Sequence, residues 1–146
     1  MLFNLIYISG ALTGIENPEA IKNFYESIGS LCQKLGFQSY VPHLNTDPIA
    51  NPDITPQEVY QTDRNHVTNA DLVIAYLGIP SFGVGMELAF AALENIPVIL
   101  LYEKGKTISR FPRGIPTKIA EIQFTSYDNA LEQLQEILIH CQNIKI

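Results

Sequence analysis

Continuous apolar runs alternate along this chain with amphipathic stretches of helical spacing. FNLIYIS, FQSYV, DLVIAYL and PVILLYE predict four strands, and IQFTS predicts a short fifth. Strands of a parallel sheet whose two faces are covered by helices are apolar throughout rather than alternating. The pattern therefore predicts an α/β three-layer sandwich on a mostly parallel sheet of four to five strands, in a single domain over residues 1–146.

Local signals indicate where the helices begin and end. An Asn-Pro pair at 17–18 predicts the start of the first helix, and Gly36 predicts its end. A Thr-Pro-Gln-Glu capping box at 55–58 opens a helix that runs to about residue 69. One face of the last helix is predicted to carry Tyr127, Leu131, Leu134, Leu138 and Cys141. Residues 42–55 and 104–120 lack periodicity and are predicted to be irregular.

Charge excludes one class of partner. The net charge is −6 and Lys and Arg form no cluster, whereas binding of polymeric nucleic acid needs a basic surface that displaces counterions. Only 16% of the residues are charged and 47% are hydrophobic, so little of the surface is available for solvation by charge. We therefore expect a homodimer or a larger homo-oligomer.

Features of membrane and exported proteins are not found in the sequence. No apolar run approaches the ~20 residues of a membrane span, and the N-terminal run lacks the basic region of a signal peptide. Cys32 and Cys141 lie in helical apolar patterns, which predicts buried thiols in a reducing compartment. They have no metal-ligand spacing, and we expect neither a metal nor another cofactor. The chain is predicted to be cytoplasmic.

Three segments follow predicted strands, where ligands bind in parallel sheets: SGALTG, the proline-rich stretch and GIPSFGVGME. Glycines in the third segment let a ligand approach the backbone, and the start of the next helix offers N–H groups to an anion. Glu87 is predicted in the first turn of that helix, among apolar neighbours. A helix-dipole role is the alternative to a functional one. Because burial raises a carboxyl pKa and a helix N-terminus lowers it, we expect Glu87 to be ionised near neutral pH.

Asp63 is the second carboxylate that the pattern singles out. It lies four residues from both Val59 and Val67, on the inward stripe of its helix, so it needs a partner or a function. An ion pair with Arg64 or a role at the helix cap is the structural alternative. Two carboxylates directed at one crevice permit glycosidic chemistry, in which one is the nucleophile and the other handles protons. The pair could also hold a divalent metal, but no ligand cluster supports that.

Other polar residues are less informative on sequence alone. Tyr7 is predicted at the end of the first strand, where a core tyrosine and a catalytic one are equally compatible with the pattern. His43 follows the second strand in a loop. Asp71 begins a strand and is predicted to be structural, while His66 and His140 are given no role.

The segments YISGALTG, DRNHVTNADLVIAYLGIPSFGVGMELAFA and IPVILLY resemble the nucleoside 2-deoxyribosyltransferase superfamily, most closely its 2'-deoxynucleoside 5'-phosphate N-hydrolase branch. The likeness extends over most of residues 5–102 and is most specific at PSFGVGME, which that branch has as Pro-Ser-Leu-Gly-Val-Gly-Tyr-Glu. It implies a flavodoxin-like (Rossmann-like) fold. It also implies cleavage or transfer of the N-glycosidic bond of 2'-deoxynucleosides or their 5'-monophosphates through a covalent glutamyl-deoxyribosyl intermediate.

The resemblance also implies roles for particular residues. Glu87 matches the nucleophile that attacks the anomeric carbon, Asp63 matches an aspartate near the leaving group and the sugar, and Tyr7 matches a tyrosine that contacts the nucleophile or the sugar. The residues implied to bind substrate are Gly10, Thr13, His43, Ser81, Gly83 and Gly85.

The chain departs from the hydrolase branch in its first glycine loop. Where the branch carries Ser and Arg that help to hold a 5'-phosphate, this sequence has Ala11 and Leu12. Arg113-Gly114 resembles an Arg-Gly pair of the family, and the basic segment 104–118 is expected to complete a neighbouring subunit's site. Two alternatives remain at this stage: a non-catalytic nucleotide-binding or sensing domain on the same fold, and an enzyme that cleaves ribonucleotides.

Overall fold

The computed structural model describes residues 4–143, which form one five-stranded parallel sheet with helices on both faces. The elements, in chain order, are β1 (Leu5–Ser9), α1 (Pro18–Lys34), β2 (Gln38–Tyr40), α2 (His43–Thr46), α3 (Pro56–Thr68), β3 (Leu72–Tyr76), α4 (Phe82–Leu93), β4 (Val98–Glu103), α5 (Arg110–Arg113), β5 (Lys118–Phe124) and α6 (Tyr127–Asn143). The strand order is β2-β1-β3-β4-β5, and all four pairings are parallel. This is the flavodoxin-like order, so the predicted fold class is confirmed.

Successive strand residues point to opposite faces of the sheet, which gives two apolar clusters. Ile6 and Ile8 of β1 belong to the cluster that α1 and α6 cover. Tyr7 belongs to the second cluster, which contains Val67 of α3 and Leu88 of α4. Any polar group in this second layer therefore lies between the sheet and the helices α3 and α4.

The predicted helix signals are confirmed. The Asn17 side chain accepts a hydrogen bond from the Ala20 N–H at 3.3 Å, and Gly36 adopts a positive φ of 92° just after α1. Thr55 and Glu58 form both hydrogen bonds of a capping box at the start of α3. Asp71 has the predicted structural role, because its Oδ2 accepts hydrogen bonds from the N–H groups of residues 4 and 5 at 2.9 Å each.

Two segments predicted to be irregular contain structure. Residues 42–55 include the single-turn helix α2, and residues 104–120 include α5 and the beginning of β5 at Lys118. The pattern did not indicate this start because β5 is an edge strand whose residues before Ile122 are exposed or half-buried, so no continuous apolar run is present. Cys32 is buried as predicted, but Cys141 is only partly buried.

Two cations of the basic segment share one carboxylate of β5. Arg113 Nε and Lys118 Nζ lie 2.6 and 2.7 Å from the two oxygens of Glu121, which also accepts a hydrogen bond from the Tyr102 hydroxyl. Burial opposes ionisation of Glu121, but these donors lower its pKa to about 2. The cluster fastens α5 to β5. Within residues 4–143, no helix is both long and apolar enough to cross a bilayer.

Candidate active site

The predicted nucleophile, Glu87, lies on the inward side of α4. Val84, Leu88 and Ala91 are the buried residues of this helix, and Glu87 lies three and four residues from two of them. Its Oε2 is shielded from solvent and has no hydrogen-bond partner within residues 4–143. The helix begins at Phe82 after the Ser81 N-cap, so Glu87 is in the second turn rather than in the predicted first turn.

Two hydroxyl groups of β1 face the same carboxylate. Tyr7 and Ser9 are both fully buried and two residues apart, so they point to the same face of the sheet. Both hydroxyls lower the Glu87 pKa, yet neither forms a hydrogen bond of normal geometry. Tyr7 is the third residue of five in its strand, not the last as predicted. Sequence reasoning missed Ser9, although its two-residue spacing from Tyr7 could have indicated it.

Opposing influences act on the pKa of Glu87. Burial raises it and the negative charge of Asp63 adds to this, whereas the hydroxyls of Tyr7 and Ser9 lower it; the outcome is a pKa of about 8. The expectation of a carboxylate ionised near neutral pH is therefore wrong. Burial outweighs the helix N-terminus, because Glu87 lies one turn further from the free N–H groups than the sequence indicated.

Asp63 is the second carboxylate of the site, and it is held by α3. The Thr46 hydroxyl lies 3.5 Å from Asp63 Oδ1 and 3.1 Å from the Pro42 carbonyl oxygen. Burial raises the Asp63 pKa, while Thr46 and His66 lower it. No ion pair of the described residues joins Asp63 to Arg64, whose guanidinium instead lies over the Phe90 ring.

Two aromatic residues without a predicted role adjoin the site. The Tyr40 ring is stacked between Tyr7, with ring centroids 5.5 Å apart, and His66, at 3.7 Å. Burial, followed by the charges of Asp63 and Glu87, raises the pKa of Tyr40 to about 12. His66 lies three residues after Asp63 on the same helix, which was an available signal. The contribution of Tyr40 depends on its pairing with Tyr7 across strands, which the sequence does not specify.

The glycine segment leaves space beside Glu87. Ser81 caps α4, its hydroxyl accepting from the Val84 N–H at 3.3 Å. A Cβ at Gly83 would make only ordinary contacts, the nearest at 3.7 Å, and one at Gly85 would meet nothing within 4 Å. Neither glycine has a positive φ. Only Gly83 adjoins the carboxylate, because a Cβ there would lie 3.9 Å from Glu87 Oε1, whereas Gly85 is exposed.

The remaining predicted residues lie elsewhere. Gly10 contacts the ring of Tyr25, which an added Cβ would approach to 2.3 Å, so packing explains this glycine. Thr13 is exposed in the loop after β1. His43 is buried against α1, with Nε2 3.6 Å from Glu26 Oε2, and burial is the main cause that lowers its pKa. It is Thr46, one turn later in α2, that reaches Asp63. Among residues 4–143, no group of three His, Cys, Asp or Glu side chains could hold a metal.

The parallel sheet in the flavodoxin-like order makes this a flavodoxin-like α/β protein. Its candidate site consists of two carboxylates and buried hydroxyls in the layer of α3 and α4. The sequence profile of the nucleoside 2-deoxyribosyltransferase family matches residues 6–136, so the chain belongs to that family.

Known proteins that are similar to this chain are named as N-hydrolases or N-glycosidases. A protein of Thermofilum pendens, named as a candidate 2'-deoxynucleoside 5'-phosphate N-hydrolase, is 28% identical over 137 residues, which cover 91% of this chain and 94% of that protein. The 5-hydroxymethyl-dUMP N-hydrolase of Danio rerio is 25% identical, covering 91% and 96% of the two chains. The CMP N-glycosidase of Clostridium botulinum shares the fold, with a TM-score of 0.71 at 19% identity over 92% of this chain and 99% of that one.

Proposed function

We propose that this protein cleaves or transfers the N-glycosidic bond of a 2'-deoxynucleoside or its 5'-monophosphate, with Glu87 as the nucleophile. Family membership makes the chain an enzyme of the N-glycosidase or 2-deoxyribosyltransferase type. One observation supports the choice of Glu87: its carboxylate lies beside the buried hydroxyls of Tyr7 and Ser9, which have no hydrogen-bond partner among residues 4–143. Unpaired buried polar groups are rare in folded proteins and concentrate where a function requires them.

The proposed reaction has two steps. The Glu87 carboxylate forms a bond to C1' while the bond from C1' to the base nitrogen breaks, and its electron pair leaves with the base. Asp63 has a raised pKa and is suited to deliver the proton that the departing base takes up. In the second step, water or another base attacks C1' and releases Glu87. The attacking group gives its proton to Asp63, which restores the starting state.

Tyr7 would stabilise the anionic form of Glu87 during this cycle. Burial and the charges of Glu87 and Asp63 raise the Tyr7 pKa, so the phenol stays protonated at neutral pH. A protonated phenol can donate to the carboxylate but cannot replace it as the nucleophile. Ser9 offers a second donor from the same strand.

The test combines a substrate screen with a covalent trap. Deoxynucleosides, ribonucleosides and their monophosphates are incubated with the protein, with and without a second base, and released base is separated by chromatography. Glu87→Gln keeps the size of the side chain and should lower base release by several orders of magnitude while substrate still binds. A 2'-fluoro-arabino nucleoside should leave a sugar adduct that peptide mapping places on Glu87.

Each other outcome of that test has a defined meaning. An adduct on Asp63, or a fully active Glu87→Gln protein, would contradict the role of Glu87. Ligands that raise the unfolding temperature without any release of base would favour the nucleotide-sensing alternative. Release of base from ribonucleotides alone would overturn the choice of a deoxyribose substrate.

The 5' end of the substrate is predicted to matter less here than in the hydrolase branch. Ala11 is buried and Leu12 packs against the core, so neither replaces the Ser and Arg that the resemblance implies for phosphate binding. Backbone N–H groups near Ser81 could still hold a phosphate, but more weakly than with an arginine. We expect kcat/KM for a deoxynucleoside and its monophosphate to differ by less than about 1000-fold, or about 4 kcal/mol. A larger preference for the monophosphate would contradict this.

We also propose that a second copy of the chain packs on the outward face of α4. Phe82, Met86 and Leu93 are 99%, 48% and 77% exposed, at helical spacings that place them along one side. Apart from the inward Glu87, α4 has no charged residue, so this face offers no charge for a charged partner to pair with. A two-fold dimer brings identical patches together, which suits an apolar helix face. The second copy would then lie beside the glycine segment of the site.

A further inference from the structure

Three stacked rings connect the helix that carries Asp63 to the tyrosine beside Glu87. Tyr7 comes from β1, Tyr40 from β2 and His66 from α3, the helix of Asp63. We propose that Tyr40 and His66 are positioning residues, which hold the Tyr7 ring so that its hydroxyl stays against the Glu87 carboxylate. The inference rests on the proposed function for the reaction that Glu87 performs. The placement of Tyr7 can be measured without turnover.

The register of the sheet explains why Tyr40 lies beside Tyr7. β1 and β2 are parallel, with Tyr7 opposite Tyr40, and the rings are inclined by 24°. β2 is an edge strand of three residues, so the sheet supports Tyr40 from one side only. The other side of its ring is covered by His66, inclined by 15°. Without that cover, the short edge strand would leave Tyr40 free to turn toward solvent.

A hydrogen bond orients His66 itself. Its Nδ1 lies 2.7 Å from the carbonyl oxygen of Thr62, one turn earlier in α3. A carbonyl oxygen only accepts, so Nδ1 carries the proton and the ring is tied to the helix backbone. α3 thus determines where the imidazole lies, and the imidazole determines where Tyr40 lies.

Packing is what positions the two tyrosine hydroxyls. Both are buried and neither has a hydrogen-bond partner, so no polar contact holds either ring in place. The Tyr7 hydroxyl nevertheless acts on Glu87 and lowers its pKa. A shift of this hydroxyl by about 1 Å would weaken its stabilisation of the Glu87 carboxylate, and displacements of this size in active sites cost up to about 100-fold in rate.

Other titratable groups lie near Glu87, so the test must distinguish a change in charge from a movement of Tyr7. They are Tyr7 on β1, Tyr40 on β2, Asp63 on α3 and Tyr25 on α1. Loss of a charge on His66 could act on Glu87 directly, or through Asp63, without any movement of Tyr7. A charge effect would persist after Tyr7 loses its hydroxyl, whereas a positioning effect would not.

The experiment measures the titration of Glu87 by 13C NMR of protein labelled at the glutamate carboxyl carbons, with Glu87→Gln to assign the signal. His66→Ala should raise the Glu87 pKa by about 0.5 to 1 pH unit, because a displaced Tyr7 hydroxyl would stabilise the carboxylate less. Tyr7→Phe should raise it similarly, and the double variant no further. His66→Phe keeps a flat ring on Tyr40 and should leave the pKa close to that of the wild type.

Two further variants complete the set. Tyr60→Ala removes an exposed aromatic side chain of α3 outside the stack and is the matched control, expected to leave the Glu87 titration unchanged. Tyr40→Leu keeps bulk without a flat ring and should raise the Glu87 pKa as His66→Ala does, which provides a second variant if His66→Ala does not fold. An unchanged pKa in both His66→Ala and Tyr40→Leu, or an effect of His66→Ala that persists in Tyr7→Phe, would overturn the proposal.

Turnover then separates this inference from the proposed function. With a substrate that the wild type cleaves, His66→Ala should lower kcat by about 10- to 100-fold and change KM less than threefold, and His66→Phe should restore most of kcat. If no substrate is cleaved but the titrations follow the pattern above, the proposed function fails and the positioning role stands. If substrate is cleaved but the titrations do not follow the pattern above, only the positioning role fails.

Discussion

Glu87 combines two requirements that oppose each other. A nucleophile must be ionised, but the shielding that keeps water from a reactive sugar carbon also disfavours the charge. Here burial and Asp63 raise the pKa, and two hydroxyls of β1 lower it only in part. In the free protein, the result is a carboxyl that is mostly protonated at pH 7 and mostly ionised above pH 8.

The pH dependence of catalysis follows from this pKa. Because the first step needs Glu87 ionised and Asp63 protonated, kcat/KM should have a bell-shaped pH profile with limbs of about tenfold per pH unit, and the Glu87 pKa of about 8 should set one limb. Steady-state rates from pH 5 to 10 on one substrate measure this. Asp63→Asn leaves Glu87 as the group that must ionise, so its slower kcat/KM should rise with pH and level off, with a midpoint below 8 because the charge of Asp63 is gone. A kcat/KM of Asp63→Asn that is independent of pH between 5 and 8 would show that ionisation of Glu87 does not limit the reaction.

Ionisation of Glu87, which should speed catalysis, should lower the free energy of unfolding. Between the unfolded pKa of 4.5 and the folded value of about 8, the folded state binds more protons, so rising pH destabilises it. Glu87→Gln removes that cost and should raise the free energy of unfolding by roughly 2–4 kcal/mol at pH 8.5. Urea titrations at both pH values should show a much smaller gain at pH 5. Equal effects at pH 5 and 8.5 would mean that the carboxyl is not titrating in the folded state.

At the scale of the element, two glycines make the start of α4 less stable than alanines would. Gly83 and Gly85 are helical, and each costs about 1 kcal/mol relative to Ala. Neither is required by a positive φ or by a close contact within the chain. Gly10 differs, because the Tyr25 ring occupies the space that a Cβ would need. The glycines that the sequence singled out therefore have different physical reasons.

Alanine substitutions should separate these two kinds of glycine. Gly85→Ala should raise the free energy of unfolding by about 0.5–1 kcal/mol, whereas Gly83→Ala should raise KM, since its added methyl group lies beside the Glu87 carboxylate. Gly10→Ala should instead lower the free energy of unfolding by about 1–3 kcal/mol, because the Tyr25 ring must move. Urea unfolding and steady-state kinetics measure both. An unchanged KM in Gly83→Ala would contradict a ligand role for this glycine.

The whole molecule is asymmetric about its sheet. The face covered by α1 and α6 holds the larger apolar cluster, while the opposite layer holds the carboxylates, the stacked rings and an outward apolar surface on α4. Exposed apolar side chains on a helix without outward charges are typical of a surface that packs in an assembly. The site and this surface share one helix, so assembly and catalysis are expected to depend on each other.

The oligomeric state tests that expectation. Leu93→Glu places a charge in the proposed contact and should weaken self-association by at least about 100-fold, since an unpaired buried charge is costly. Ile139→Glu is the matched control, because Ile139 is exposed on α6 at the opposite face of the sheet. Analytical ultracentrifugation of the wild type and both variants gives the masses. A wild type that is monomeric at micromolar concentration, or dissociation by Ile139→Glu alone, would contradict the α4 surface.

The sequence by itself determined the features that neighbouring residues control. Strand identity followed from continuous apolar runs, and the starts of α1 and α3 followed from caps that reach only three residues along the chain. The two carboxylates were found because an acidic residue on an inward helical stripe conflicts with its local pattern. The first turn of α4 and the start of β5 were misplaced, since an uncharged helix start and a half-exposed edge strand lack such contrasts.

Only the tertiary structure decided which side chains meet at the carboxylates, and in which charge state. Tyr40 lies on Tyr7 because β2 is the neighbour of β1 in the sheet, and His66 covers Tyr40 because α3 packs on that face. The same packing places His43 against α1 and Thr46 against Asp63, although both belong to one turn of helix. The pKa of Glu87 depends on burial by elements far apart in the chain. Burial and strand order are sums over long-range contacts, which no short stretch of sequence contains.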